Sequence, residues 1–253
     1  MKIVVLYIKD FFRRIMRHLY WLFRLSRAKI GKNPQVRFPV RVEGKGKLII
    51  GNNCQIGKNI YFALGEGGEI IIGNNCRIDE NVELIVGKGG KIIIGNNAWI
   101  MRNTQIACRK NTFRFGDDVV IAQNVQIFSR EQEAEGNLSV GNGTHINDFA
   151  ILDITGDLSI GEEVAFGQYS IVFTHDHLYN DLNKAAWKGG LKTGNVAIND
   201  RSWIGAHSVI LPDVIIGYRT VIASGAVVTK DCPDETICAG VPAKMIKRID
   251  KNA

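Results

Sequence analysis

Two histidines spaced two residues apart, His175 and His177, are the side chains in this sequence best suited to acid–base chemistry. They stand in the run FTHDH, on either side of Asp176. An imidazole with a pKa of about 6.5 can take the proton from a hydroxyl near neutral pH, which turns that oxygen into a nucleophile. The pair therefore indicates a base that activates a hydroxyl, and Asp153 and Asp176 are the candidates to orient it.

These histidines lie in a chain whose apolar residues recur every six positions. Three segments align at a 22-residue period: LIIGNNCQIGKNIYFALG, EIIIGNNCRIDENVELIVG and KIIIGNNAWIMRNTQIACR. An even spacing returns each apolar residue to the same face of a strand, and the Gly and Asn turns change the direction of the chain. Three hexads make one triangular coil, and stacked coils bury a continuous apolar column. We therefore predict an all-β solenoid of about nine triangular coils, roughly 40 Å long.

A second column of small residues lies two positions before the apolar one, where a tight corner leaves little space. Cys54, Cys76, Cys232 and Cys238 occupy this column, so we expect buried fillers rather than ligands or nucleophiles. Cys108 lies outside it. The five cysteines show no metal-ligand spacing such as C-x-x-C, so no metal is expected, and their odd number suits a reducing compartment.

The clearest break in the repeat is residues 179–197, which we predict to be a loop that protrudes from the solenoid. The six-residue pattern runs to Leu178 and resumes at Ile198. Long loops that leave a compact fold are usually functional. With Leu178 in the apolar position, His177 would point outward from the prism and His175 would lie at a corner.

Residues 1–29 differ from the rest of the chain in charge and in periodicity. Apolar and aromatic residues recur there at helical spacing, and eight Lys or Arg accompany a single acid, Asp10, in residues 1–30. The net charge of +7 therefore belongs to this segment, and the neutral remainder argues against a nucleic-acid partner. We predict an amphipathic helix that does not span a membrane.

Two placements of this helix are open. Residues 1–28 either lie on an anionic membrane surface or dock on the protein itself or on a neighbouring subunit. The segment is a poor secretory signal, because charges interrupt its apolar stretch. We therefore expect a cytoplasmic protein, which the membrane alternative would place peripherally on the inner face of the membrane.

The repeats of Ile/Val/Leu-Gly-x-x-x-x resemble the left-handed β-helix acyltransferases of the hexapeptide-repeat superfamily. The resemblance covers residues 30–249 and leaves 250–253 as a tail. It implies left-handed coils and a homotrimer in which the active site lies between neighbouring subunits. It also implies acetyl-CoA as acyl donor and a histidine base that activates the acceptor hydroxyl directly.

Individual residues carry over from this resemblance. The stretch IGEEVAFGQYSIVFTHDH is similar to galactoside and maltose acetyltransferases, and the count after its IG pair implies His177 as the catalytic base, with His175 as the alternative. The relatives usually place proline after this histidine, where Leu178 stands here. Asn147 matches an asparagine that binds the acceptor. The stretch WIGAHSVILPDVIIGYRTVIASGAVVTKD and the lysines after it resemble the CoA groove, which implies CoA contacts at Ala206, Ser224, Thr229, Lys230, Lys244 and Lys247.

The function expected from residues and resemblance together is acetyl-CoA-dependent O-acetyl transfer to a hydroxyl of a saccharide or lipid-linked glycan. Two alternatives stay open: N-acetyl transfer to an amino-sugar nucleotide, and a non-catalytic β-helix scaffold. A γ-class carbonic anhydrase would need three zinc-binding histidines that this chain does not offer at matching positions. A sugar nucleotidyltransferase would need an additional N-terminal α/β domain.

Overall fold

The fold is a left-handed parallel β-helix of about nine coils, preceded by one α-helix. The computed structural model describes residues 2–132 and 134–249, so the predicted tail over 250–253 lies outside the described residues. Each coil contributes one short strand to each of three parallel sheets, named faces A, B and C in the order in which the chain visits them. The fold class predicted from the six-residue repeat is confirmed.

The strands are short, because the chain turns after each hexad. Face A contains Lys29–Ile30, Lys47–Ile50, Glu69–Ile72, Lys91–Ile94, Thr112–Phe115, Leu138–Val140, Leu158–Ile160, Val196–Ile198 and Ile215–Ile216. Face B contains Gln35–Val36, Gln55–Ile56, Arg77–Ile78, Trp99–Ile100, Val120–Ile121, His145–Ile146, Ala165–Phe166, Trp203–Ile204, Val221–Ile222, Thr236–Ala239 and Lys244–Arg248. Face C contains Val40–Gly44, Ile60–Leu64, Glu83–Val86, Gln105–Cys108, Gln126–Phe128, Ile151–Asp153, Ile171–Val172, Val209–Ile210 and Val227–Val228.

In-register pairing stacks equivalent residues of successive coils above one another. Ile50 pairs with Ile72, and Ile72 pairs with Ile94. All three are at most 3% exposed, so the predicted apolar column is the core of the prism. Burying each such side chain contributes about 1.5–3 kcal/mol. No single coil could enclose this column, because each coil needs its neighbours above and below.

The edges of the prism are turns that need left-handed backbone. At the edge between faces A and B, Asn53, Asn75 and Asn97 have φ of 56°, 57° and 57°. Asparagine tolerates this region better than most residues. The side-chain amides also form a ladder, since Nδ2 of Asn53 donates to Oδ1 of Asn75 at 3.1 Å and Nδ2 of Asn75 donates to Oδ1 of Asn97 at 3.2 Å. The GNN repeats are thus explained by turn geometry.

All five cysteines are buried thiols, as predicted for four of them. Sγ of Cys54 and of Cys76 each lies 3.1 Å from a backbone carbonyl oxygen of the next coil. Cys108, which the sequence left unassigned, is fully buried and lies 2.8 Å from the carbonyl of Asn111. Burial raises the pKa of Cys76 and of Cys108 to about 11, so both thiols are poor nucleophiles at neutral pH.

The α-helix, Lys2–Ser26, meets the solenoid only near its C-terminal end. Leu25 is its one buried residue among those described, and the Arg24 guanidinium donates to the carbonyl of Gly44 in the first coil. Along the rest of the helix the large apolar side chains are exposed, for example Ile3 at 81% and Phe12 at 60%. Docking along the surface of its own solenoid is therefore not observed. No helix of the described residues is long and apolar enough to cross a membrane.

Candidate active site

The protruding segment is present, and it is a β-hairpin at the edge between faces C and A. Its strands, His175–His177 and Leu191–Thr193, pair antiparallel, and a 3-10 turn at Ala186–Lys188 lies between them. The chain rejoins face A with Val196–Ile198, which pairs with Leu158–Ile160. Both histidines therefore belong to the first strand of the hairpin, at its root.

The prediction that the six-residue pattern continues through Leu178 is wrong. Leu178 is 43% exposed, and its N–H donates to the carbonyl of Gly190 across the hairpin at 2.7 Å. A two-stranded hairpin outside the prism has no core beneath it, so an apolar residue at the expected spacing gains no burial there. The orientation of His177 is thus set by the hairpin and not by the coil.

His175 is held by a buried carboxylate. Its Nδ1 lies 2.7 Å from Oδ2 of Asp153, which is fully buried, while the His175 side chain is 10% exposed. Asp153 ends a face C strand directly below the hairpin, and its second oxygen accepts the hydroxyl of Thr155 at 2.6 Å. The backbone N–H of Thr174 donates to Oδ2 at 3.0 Å. Of the two carboxylates proposed to orient an imidazole, Asp153 does so, and it orients His175.

The charge state of Asp153 defines the tautomer of His175. Burial raises the pKa of Asp153, but hydrogen bonds from Thr155, His175 and the backbone N–H groups of Thr174 and Arg130 outweigh burial and lower the pKa below its usual value. Asp153 is therefore an anion that can only accept. Nδ1 of His175 must then carry a proton, so in the neutral imidazole Nε2 is the nitrogen that holds the lone pair.

His177 lies beside His175 and shares a neighbour with it. The two rings are 5.7 Å apart and nearly perpendicular, at 88°. Oε1 of Glu131 lies 3.7 Å from Nε2 of His175 and 3.8 Å from Nε2 of His177. The His177 side chain is 36% exposed, so it is the more accessible imidazole. Asp176 accepts the backbone N–H of His177 at 2.7 Å, which fixes the main chain and not the ring.

Glu131 is a site residue that sequence reasoning missed. It comes from the segment between the strands Gln126–Phe128 and Leu138–Val140, at the same C–A edge but one coil before Asp153. It precedes His175 by 44 residues, which equals two 22-residue repeats, but the two coils in between are 25 and 20 residues long, from Gln126 to Ile151 and from Ile151 to Ile171. Only the stacking of coils brings it to the hairpin root.

The structure does not bring Asn147 to the histidines within one protomer. Asn147 stands at the B–C edge, where its Nδ2 donates to the carbonyl of Phe166 at 2.7 Å. It lines a groove of about 610 Å³ along face B, together with Ala122, Gln123 and Asp148. One full side of the prism, the face C strand Ile151–Asp153, separates it from the hairpin.

The residues expected to contact CoA divide between different parts of the prism. Two stand at the B–C edge in successive coils, Ala206 and Ser224. Thr229 and Lys230 are exposed at the C–A edge, after the last face C strand. The remaining two, Lys244 and Lys247, are exposed on the strand Lys244–Arg248, which closes face B by pairing antiparallel with Thr236–Ala239.

The B–C edge carries a second feature that sequence reasoning missed. Phe149, Tyr169 and His207 stack in successive coils, with ring centroids 4.7 and 4.9 Å apart and interplanar angles of 2° and 3°. All three have left-handed φ, between 56° and 60°. A signal was available, because they occupy the turn position that holds Asn59, Asn81, Asn103 and Asn124 in earlier coils.

The repeats of this chain match those of known proteins. Residues 195–230, which follow the hairpin, match the family model described as bacterial transferase hexapeptide (six repeats). This part of the chain thus carries repeats similar to those of the bacterial hexapeptide transferases. The resemblance inferred from its repeats is therefore confirmed.

Two curated relatives of this chain are galactoside O-acetyltransferases. That of Lactococcus lactis is 36% identical over 44% of this chain and 53% of its own length, and that of Escherichia coli is 33% identical over 44% and 57%. The chain thus spans about half the length of the curated relatives it matches. Among solved structures, AntD, an N-acyltransferase from Bacillus cereus, is 20% identical over 74% of this chain and 86% of its own, with a TM-score of 0.48.

Proposed function

We propose that this protein transfers an acetyl group from acetyl-CoA to a hydroxyl of a saccharide or lipid-linked glycan. The observation that carries the proposal is the pair of imidazoles at the hairpin root, one of them oriented by buried Asp153 at 2.7 Å. The transferase-type repeats at residues 195–230 follow this hairpin directly, and the curated galactoside O-acetyltransferases support acetyl transfer to a sugar oxygen.

The reaction needs a base and an oxyanion donor, but no covalent enzyme intermediate. Nε2 of the catalytic histidine takes the proton of the acceptor hydroxyl while its oxygen attacks the thioester carbonyl. A backbone N–H stabilises the tetrahedral oxyanion. When the oxyanion collapses, the carbon–sulfur bond breaks, and the imidazolium returns the proton to the CoA sulfur. The products are the acetyl ester and free CoA.

His177 is our first choice for this base, and His175 is the alternative. His177 is supported by its count after the IG pair and by its greater exposure, 36% against 10% for the side chains. His175 is supported by Asp153, which fixes its tautomer with Nε2 free. If His177 is the base, Asp153 and His175 position it. If His175 is the base, Asp153 orients it directly.

We infer that the complete site requires two copies of the chain, as in a homotrimer. The histidines stand at the C–A edge, while Asn147, Ala206 and Ser224 stand at the B–C edge of the same prism. If one copy's hairpin lies along the B–C edge of its neighbour, both groups face one groove. Trp187, in the segment that connects the two hairpin strands, is 68% exposed, as a residue awaiting such a partner would be. Acetyl-CoA would then contact Ala206 and Ser224 along its pantetheine, with Thr229, Lys230, Lys244 and Lys247 near its phosphates.

Release of free CoA from acetyl-CoA, measured against a panel of sugars, amino-sugar nucleotides and glycolipids, tests the proposal. Wild type should release CoA only with a hydroxyl acceptor, and His177→Ala should lower this rate at least ~100-fold. His145→Ala removes an exposed imidazole on face B and should leave the rate unchanged. Loss in His175→Ala alone would move the base to His175. Release with amino acceptors only would replace O-transfer by N-transfer, and absence of CoA binding in calorimetry would favour the scaffold.

We also propose that the helix Lys2–Ser26 binds the anionic surface of a membrane on its cytoplasmic side. Its exposed apolar face has nothing to cover it in the described structure, and seven Lys or Arg accompany a single Asp in residues 2–27. Aromatic and aliphatic side chains can enter the headgroup boundary while the basic ones meet anionic lipids. The acceptor would then be a glycan presented at that surface.

Sedimentation with liposomes tests this placement. Vesicles with anionic lipid should pellet the wild-type protein, and the triple change of Arg13, Arg14 and Arg17 to Glu should release it. A control with the same change in charge replaces Lys88, Lys110 and Arg114, which are exposed on the solenoid, by Glu. If the helix variant and the solenoid control variant pellet equally, the membrane proposal is refuted, and a neighbouring subunit is then the expected partner of the helix.

A further inference from the structure

The hairpin root has a second chemical capacity besides proton transfer. His175 and His177 alternate with Asp176 on one strand, so both imidazoles project from the same face of that strand. One ring nitrogen of each histidine and a carboxylate oxygen of Glu131 lie within 4.8 Å of one another. Two imidazole nitrogens and one carboxylate oxygen form a donor set that suits divalent transition metals, whereas Mg²⁺ and Ca²⁺ prefer oxygen alone.

The distances are close to those of a closed coordination shell. In a tetrahedral zinc site with bonds of about 2.0–2.1 Å, neighbouring ligand atoms stand roughly 3.4 Å apart. The Glu131 oxygen lies 3.7 Å from one ring nitrogen and 3.8 Å from the other. These two contacts need a contraction of only a few tenths of an ångström to reach that separation. Glu131 is 33% exposed on its loop, which leaves an entry path for the ion.

The groups that would orient one of the metal-binding histidines are already in place. A metal-binding histidine generally donates its other ring N–H to a carboxylate, which fixes its tautomer and makes the binding nitrogen more basic. Asp153 accepts Nδ1–H of His175 at 2.7 Å in this way. Asp153 is itself held by Thr155 and by the backbone N–H of Thr174. An exposed cluster of polar groups on a surface would have no such buried support.

We propose that Glu131, His175 and His177 form a binding site for one divalent transition-metal ion, best filled by Zn²⁺, with an open fourth position. The sequence expectation of no metal rested on cysteine spacing and on the absence of three zinc-binding histidines at matching positions, and neither argument considered two histidines together with a glutamate. Binding occupies the Nε2 lone pairs of both imidazoles. Zn²⁺ is therefore a reversible inhibitor of acetyl transfer; this consequence rests on the proposed function, whereas the binding itself does not.

Metal titration of the untagged full-length protein, stripped with a chelator, tests the site. Competition with a chromophoric chelator should show one tight Zn²⁺ per chain, and Co²⁺ should give visible absorption bands of low coordination number. Glu131→Gln, His175→Ala and His177→Ala should each weaken Zn²⁺ binding at least ~10-fold, and Asp153→Asn should weaken it ~10–100-fold. His145→Ala should bind as tightly as wild type.

Two results would refute the proposed metal site. The first is that wild type binds Zn²⁺ no more tightly than His177→Ala does. The second is that His145→Ala, and not a variant of the three proposed ligands, lowers the number of Zn²⁺ ions bound per chain. If Asp153→Asn does not fold, His177→Ala still decides, because that side chain is 36% exposed and its removal opens no cavity in the core. Metal-free wild type should transfer acetyl groups, and one equivalent of Zn²⁺ should abolish transfer. If Zn²⁺ binds but acetyl transfer continues, the proposed inhibition is refuted. If Zn²⁺ binds tightly but neither the metal-free nor the Zn²⁺-loaded protein transfers acetyl groups, the proposed function is refuted and the metal site stands.

Discussion

The C–A edge of the prism differs sharply between the early and the later coils. In the early coils it consists of four-residue turns, Gly65–Gly68 and Gly87–Gly90, in which the N–H of the fourth residue donates to the carbonyl of the first. In the later coils the same edge carries the loop with Glu131 and the hairpin with both histidines. The core beneath is equally closed in both regions, since Phe62 and Leu152 are both fully buried.

The difference shows why this edge can acquire chemistry without loss of the fold. Each strand of the prism bonds to equivalent strands above and below, and those bonds require nothing from the connection at the edge. Lengthening a surface connection adds little loop-closure entropy, about 0.6 kcal/mol for each doubling of its length. A buried anchor such as Asp153 then links the added segment to the rigid coils.

The largest effect should come from emptying the core, and it should be equal in the two regions. Phe62→Ala in an early coil and Phe166→Ala in a later coil each delete a fully buried ring, at a cost of about 3–5 kcal/mol in the free energy of unfolding. Denaturant titration followed by circular dichroism measures both. A much smaller cost for Phe166→Ala would show that the functional coils are packed more loosely than the regular ones.

The next largest effect on stability should distinguish the loop between Phe128 and Leu138 in the later coils from the four-residue turn Gly65–Gly68 in the early coils. The carboxylate of Glu135 is buried and accepts the backbone N–H groups of Arg109, Lys110 and Asn111 at 2.7, 2.8 and 3.1 Å. Glu135→Ala leaves these donors unpaired and should cost about 2–4 kcal/mol. Glu66→Ala, at the exposed tip of an early turn, should stay within about 0.5 kcal/mol of wild type. Similar losses in the two variants would contradict the distinction.

A smaller effect tests the asparagine ladder at the B–C edge of the early coils. Asn81 has φ of 59°, and its amide bonds to Asn59 and Asn103 at 3.2 and 3.0 Å. Asn81→Ala loses both bonds and strains the backbone, while Asn81→Gly loses the bonds only. The alanine variant should therefore be less stable by about 1 kcal/mol than the glycine variant. Equal melting temperatures would remove backbone geometry as the reason for asparagine there.

The smallest expected effect is the reaction of the cysteine thiols with a thiol reagent, which should be negligible in the folded protein. Burial raises the pKa of Cys76 and Cys108 to about 11, so the reactive thiolate forms only as the pH rises towards that value. At pH 8 we expect the folded protein to react negligibly with a thiol reagent within minutes, and all five cysteines to react in denaturant. Rapid reaction of a native thiol would show that the coil holding it opens more readily than its neighbours.

Much of the fold followed from the repeat, because stacking in register turns a linear period into a spatial column. The apolar hexads, the small corner residues and the asparagine turns each follow from the packing and turn geometry of a single coil, and this geometry repeats from one coil to the next. The prediction was wrong at Leu178, where spacing continued without a coil to bury the residue. The aromatic stack of Phe149, Tyr169 and His207 was not predicted from the sequence, although these residues occupy the turn position that holds asparagine in earlier coils.

The sequence by itself determined the prism, the protrusion after the histidines and the amphipathic character of the first 26 residues, since each depends on a period or a composition. Only the tertiary structure decided that Asp153 holds His175 and that Glu131 stands between the two imidazoles. The physical reason is that these contacts depend on the length of each individual coil, which varies here: the coil from Gln126 to Ile151 has 25 residues, and the coil from Ile151 to Ile171 has 20. The same structure separated Asn147 from the histidines by one side of the prism, because residues close in the repeat can stand on different edges.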